Sequence, residues 1–134
     1  MASEKDVALS PDPPGSPVTD ESTTVFEDIL NDEMSVDIVL ESDKFLAFRD
    51  FGELAPTEVL ILPKVKVAGI STAEEEHCEM LGRFLYTAKL VAKREGLLDP
   101  GFRVVIKDGP DGGQVEDHLY MIFVGGKKLK WPPG

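Results

Sequence analysis

Few side chains in this 134-residue chain have the type and spacing that chemistry needs. The two histidines, His77 and His118, and the single cysteine, Cys78, form no Cys-x-x-Cys pair and no Cys/His cluster, so no metal is expected and no cofactor motif stands out. The glycine pair Gly112-Gly113 with Gln114, inside D-G-P-D-G-G-Q, can offer backbone N–H groups to an anion, and can equally turn a hairpin. Asp50 closes the run F-L-A-F-R-D, where a charged residue is either a solvated strand end or a ligand. Lys127, Lys128 and Lys130 stand together near the end with no acid among them, while the rest of the chain carries 11 basic residues against 25 acidic ones. Those lysines suit phosphate attraction, docking to an acidic surface, or plain solvation.

The overall charge sets the outer limits. A formal net charge of -11 repels phosphate backbones and anionic lipid, which argues against nucleic acid or a membrane surface as partner. One cysteine cannot form an internal disulfide, so a reducing compartment is expected, the cytoplasm with the nucleus as a second location. The start has no apolar signal core, and no stretch approaches the ~18 apolar residues of a membrane helix. Residues 1–22 hold four of the ten prolines and five acids, and are expected to form a disordered acidic tail ahead of one domain at 23–134. Ser10-Pro11 and Ser16-Pro17 within it are ordinary for such a composition.

The elements that must position these residues follow from periodicity. Thr24 can cap a short helix through Asn31 whose Phe26, Ile29 and Leu30 share a face. Strands are expected at Val36–Leu40, Phe45–Arg49, Val59–Leu62, Phe102–Lys107 and His118–Val124. Ser71 with Glu74 and Thr72 with Glu75 form overlapping capping boxes, which start a helix there. It runs to about Glu95, burying Leu81, Phe84, Leu85, Ala88 and Ala92 and stopping at Gly96. Turns too short for parallel crossovers make this an α+β fold on an antiparallel sheet.

The loop D-G-P-D-G-G-Q, the strand D-H-L-Y-M-I-F-V and the ending G-G-K-K-L-K-W-P-P-G together resemble the histidine triad (HIT) superfamily, specifically its Hint branch. F-L-A-F-R-D-F, A-P-T and L-I-L-P-K extend the resemblance over residues 23–134. It implies a HIT-like fold: a five-stranded antiparallel sheet with one long and one short helix, dimerising into a ten-stranded sheet.

Active members are nucleoside phosphoramidases or nucleotidyl hydrolases whose triad, His-x-His-x-His, attacks an α-phosphorus through its middle imidazole. The resemblance places His118, Tyr120 and Ile122 at the triad positions, so two of the three imidazoles are gone. It also places Glu58, Val115 and Lys107 where the family has a histidine, a phosphate-binding serine and an orienting asparagine. No catalytic residue is therefore assigned. The nucleotide site implied is Phe26, Ile29, Met34, Phe48, Phe51 and Leu60 around the base, Asp50 on the ribose, and Gly113 and Gln114 near the phosphate; the apolar six can equally be core. Trp131 is expected at the dimer interface.

The expectation is a homodimer that has lost hydrolysis and acts as a binding or scaffolding protein with weak purine nucleotide affinity. Its rivals are a diverged hydrolase acting on a changed substrate, with Tyr120 or another group as nucleophile, and a regulatory partner of an active Hint paralogue.

Overall fold

The structure, a computed structural model, describes residues 25–50 and 55–130. The expected tail, Thr24, Phe51 and Trp131 lie outside the described residues. Among those residues the chain forms α1 (Val25–Leu30), β1 (Ile38–Glu41), β2 (Phe45–Arg49), β3 (Thr57–Pro63), α2 (Cys78–Glu95), β4 (Phe102–Val105) and β5 (Met121–Gly125), with a 3-10 turn at Glu75–His77 leading into α2. The strands make one antiparallel sheet in the order β1-β2-β3-β5-β4, with a register irregularity between Ile38 and Leu40.

The sheet is covered on both faces, which explains why β2 is a continuous apolar run and not an alternating one. On one face α2 lays Phe84, Ala88, Val91 and Ala92 over Val59, Ile61, Met121 and Phe123. Phe84 stacks on Phe45 with centroids 6.0 Å apart. On the other face α1 sets Phe26 and Ile29 against Leu46, Phe48, Leu62 and Tyr120. Burying that aromatic and aliphatic surface is what holds so short a helix, since six residues have little helical stability in isolation.

Several elements begin or end elsewhere than their periodicity indicated. The long helix starts at Cys78, not at Ser71, because the capping groups are spent on the loop: Thr72 Oγ1 accepts the Gly69 N–H and donates to the Gly69 carbonyl, and the Ser71 N–H donates to Asp108 Oδ1 at 3.1 Å. The capping interaction belongs instead to Glu74, whose N–H donates to His77 Nδ1 at 2.9 Å. Leu85 is 57% exposed, and the buried stripe of α2 runs through Phe84, Thr87, Ala88, Val91 and Ala92. The end of the helix is as expected, with Gly96 left-handed at φ 74°. Two charged clamps fix it over the sheet. Arg49 makes a bidentate pair with Glu95 at 3.0 and 2.8 Å, and Arg94 donates to the Val39 carbonyl at 2.7 Å.

Candidate functional site

The face under α1 collects most of the residues expected at the site. Side chains on β3 and β5 alternate, and the ladder pairs Glu58 with Val124 and Leu60 with Ile122. His118 and Tyr120 precede β5, which is shorter than the expected His118–Val124 strand. The alternation nevertheless continues into Tyr120: Leu119, Met121 and Phe123 join the α2 core, whereas Tyr120 and Ile122 join the cluster under α1.

Tyr120, which the sequence resemblance sets at the middle triad position, is 5% exposed. Phe26 meets its ring edge to face at 5.1 Å, and meets Phe48 at 6.3 Å and His118 at 6.0 Å. Burial raises the Tyr120 pKa above its ordinary value near 10, the Val115 N–H partly opposes this, and the carboxylates of Glu116 and Asp50 add to the rise. The phenol is thus held neutral.

His118 is 1% exposed, and its Nε2 lies 2.9 Å from the Pro63 carbonyl. A carbonyl only accepts, so Nε2 carries the proton; Nδ1 is buried with no hydrogen-bond partner among the described residues. Burial lowers its pKa, outweighing the Pro63 bond; nearby Lys66 lowers it further, while Glu27 and Asp117 oppose. This imidazole ties the chain to the end of β3.

The glycine loop is closed on itself. Gly113 N–H donates to Pro110 O at 3.1 Å, and Gln114 N–H to Gly109 O at 3.0 Å. The Gln114 side chain donates from Nε2 to Ala68 O and Glu116 O, both at 2.7 Å, and accepts the Gly109 N–H at 2.8 Å. The anion-presenting role expected of Gly113 and Gln114 therefore has no free backbone N–H at either residue.

Of the base-site residues, Phe26, Ile29 and Phe48 are packed together, Leu60 and Ile122 lie partly buried against them, and Met34 is 43% exposed. Ile29 and Met34 line a cleft of about 370 Å3 with Leu30, Val36, Ile38 and Leu46. Asp50 follows β2, its N–H donating to Glu58 O at 3.0 Å. Glu58 is itself buried, at 8% exposure.

The residue that periodicity did not single out is Glu116. Its Oε1 accepts the Val25 N–H at 3.3 Å, at the start of α1. Burial, with Asp28 adding to it and the Val25 N–H opposing, pushes its pKa up to about 7. The available signal was an acid set between a glycine loop and an apolar strand; its half-buried seat beside the start of α1 is a long-range contact.

Comparison with known proteins places this geometry. The HIT domain family matches residues 31–129, and the chain belongs to that superfamily. Its relatives put it in the Hint branch. It is 48% identical over 136 residues to adenylylsulfatase HINT1 of Arabidopsis thaliana, covering 100% of this chain and 88% of that one. It is also 48% identical to a 14 kDa zinc-binding protein of Zea mays, with 100% of each chain covered. Among solved structures, a HIT family hydrolase from Legionella pneumophila Philadelphia 1 superposes with TM-score 0.78 at 37% identity, over 82% of this chain and 98% of that one.

The raised Glu116 pKa has a direct consequence. Its carboxyl favours the folded state when neutral, so that stability is fully present below about pH 4.5 and lost as pH rises through about 7. Thermal denaturation should show Glu116→Gln equal to wild type near pH 4.5 and more stable near pH 8. A wild-type advantage near pH 8 would contradict this placement of the carboxyl.

Proposed function

We propose that this Hint-like protein has given up hydrolysis at the α-phosphorus and works by binding, as a homodimer that holds a purine nucleoside or nucleotide weakly on the α1 face and serves as a platform for other proteins. The observation that carries the reading is Tyr120. An ordinary phenol is about one part in a thousand ionised at neutral pH, and burial and two carboxylates lower that fraction further here. A tyrosine nucleophile needs a base and cations beside it. Tyr120 instead has the Glu116 and Asp50 carboxylates near enough to disfavour its anion, and the resemblance puts a hydrocarbon, Ile122, at the third triad position. Asp50 and the apolar residues around Phe26 are what remain for a nucleoside.

The zinc in the name of the maize relative is not carried over. Among the described residues no group of three or more His, Cys, Asp or Glu side chains can hold a metal ion, and His118 is committed to Pro63.

The name of the Arabidopsis relative makes adenylyl sulfate the substrate to try beside an adenosine phosphoramidate. Turnover of both should match an enzyme-free control, and Tyr120→His alone should not restore it while Ile122, Glu58 and Lys107 stay. Robust wild-type turnover abolished by Tyr120→Phe would favour the diverged hydrolase.

For the dimer, the support is the edge at β4, unpaired among the described residues, with Phe102 exposed, and the apolar side chains of Leu85 and Tyr86 standing out from α2. Full-length protein should sediment as a salt-tolerant dimer at micromolar concentration, and Leu85→Glu combined with Tyr86→Glu should shift it to monomer. A wild-type monomer under those conditions would overturn the assembly.

A further inference from the structure

The cleft between the end of α1 and β1 lies apart from most of the residues that the resemblance assigns to a nucleoside: none of Phe26, Phe48, Leu60 and Asp50 lines it. Its apolar side combines the buried Ile29 and Leu46 with Met34 and Ile38, which are 43% and 50% exposed. Exposed apolar side chains rimmed by polar ones mark an interaction surface. The polar rim here is of one sign. Over residues 31–43 the acids Asp32, Glu33, Asp37, Glu41 and Asp43 are all exposed, and no Lys or Arg stands among them. Two cations reach this stretch from elsewhere and are already paired, Lys64 with Glu41 at 2.7 Å and Arg49 with Asp37 at 3.5 Å and with Glu95. Asp32 stands out further. The helix α1 stops with the Asp32 N–H donating to Ile29 O at 3.1 Å and the Glu33 N–H to Asp28 O at 2.8 Å, and Asp32 takes a left-handed φ of 62°. Such a stop favours glycine or asparagine, and a negative charge at a helix C-terminus opposes the peptide dipoles. The fold gains nothing from this carboxylate, which lines the cleft.

We infer that this cleft docks a basic and apolar segment of a partner protein, whose lysine or arginine meets the acids around Asp32 while a neighbouring aliphatic side chain packs on Met34 and Ile38. The inference names the surface and the partner's chemistry for the platform part of the proposed function, and rests on that part alone. Side chains make the contact. β1 is an edge strand, but its register breaks between Ile38 and Leu40 and Arg94 already holds the Val39 carbonyl, so it is a poor template for an added strand. The net charge of -11 draws basic segments to the protein as a whole, and the exposed apolar side chains beside these acids decide where such a segment stays.

Amide NMR of the full chain, titrated with a short capped peptide of alternating leucine and arginine and with its leucine–glutamate counterpart, tests this. The basic peptide should shift the amides of Ile29, Met34 and Ile38 with a dissociation constant below about 1 mM, and should weaken at least about threefold between about 50 and about 500 mM salt. Asp32→Asn should weaken it by about twofold to fivefold and at the same time raise the thermal midpoint by about 1 °C or more, while Ile38→Ser should weaken it by about threefold. Asp99→Asn makes the same change of charge on the loop between α2 and β4, and should leave the affinity as it is. Equal weakening by Asp99→Asn and Asp32→Asn would reduce the binding to general charge and overturn the inference, as would a lowered midpoint in Asp32→Asn. Binding of the acidic peptide alone, at Lys127, Lys128 and Lys130, would overturn this surface and leave the platform reading standing. No shift with either peptide at millimolar concentration would overturn both.

Discussion

A phenol buried under a phenylalanine ring stays neutral, and Tyr120 is held so beneath Phe26. This packing ties the approach to β5 to α1, and the Val25 N–H ties the same helix to Glu116, just past the glycine loop. A histidine at this position would present a titratable nitrogen to the pocket. The phenol instead leaves a neutral oxygen there, and the neighbouring carboxyls fit that neutrality.

The remainder of the sheet serves to hold this face still. On the opposite side α2 covers β2, β3 and β5 with a row of aromatic and small side chains, and the Arg49–Glu95 pair and the Arg94 bond to Val39 lock its C-terminal turn over the β1–β2 edge. With its back so fixed, the sheet presents Phe48, Leu60, Leu62 and Ile122 as a rigid floor on which α1 rests. The family's sheet and helices are therefore present among the described residues, and fold alone does not determine activity.

What could be read from the sequence was local. The strand Phe45–Arg49 announced itself by aromatic and apolar residues, and Gly96 by the need for a left-handed stop. The alternation that separates Tyr120 and Ile122 from Leu119, Met121 and Phe123 was legible for the same reason. What misled were groups satisfied by partners that their periodicity does not indicate. Ser71 and Thr72 looked like helix caps, yet one is held by Asp108, 37 residues away, and the other by Gly69. His118 looked like a strand residue and is bonded to Pro63, 55 residues distant. The glycine loop looked open to anions, but its Gly113 and Gln114 N–H groups turn inward, and Glu116 gave no sign of the partial burial that moves its pKa.

The central claim is that Tyr120 is a held, neutral phenol and not an activated nucleophile, and titrating that phenol tests it most directly. The chain has two tyrosines, so carbon-13 NMR at tyrosine Cζ followed up to about pH 12, with Tyr86→Phe to assign the signals, isolates Tyr120. A midpoint above the ordinary value of about 10 is the expected result. A midpoint below about 9 would mean that the site stabilises the phenolate, and would contradict the claim.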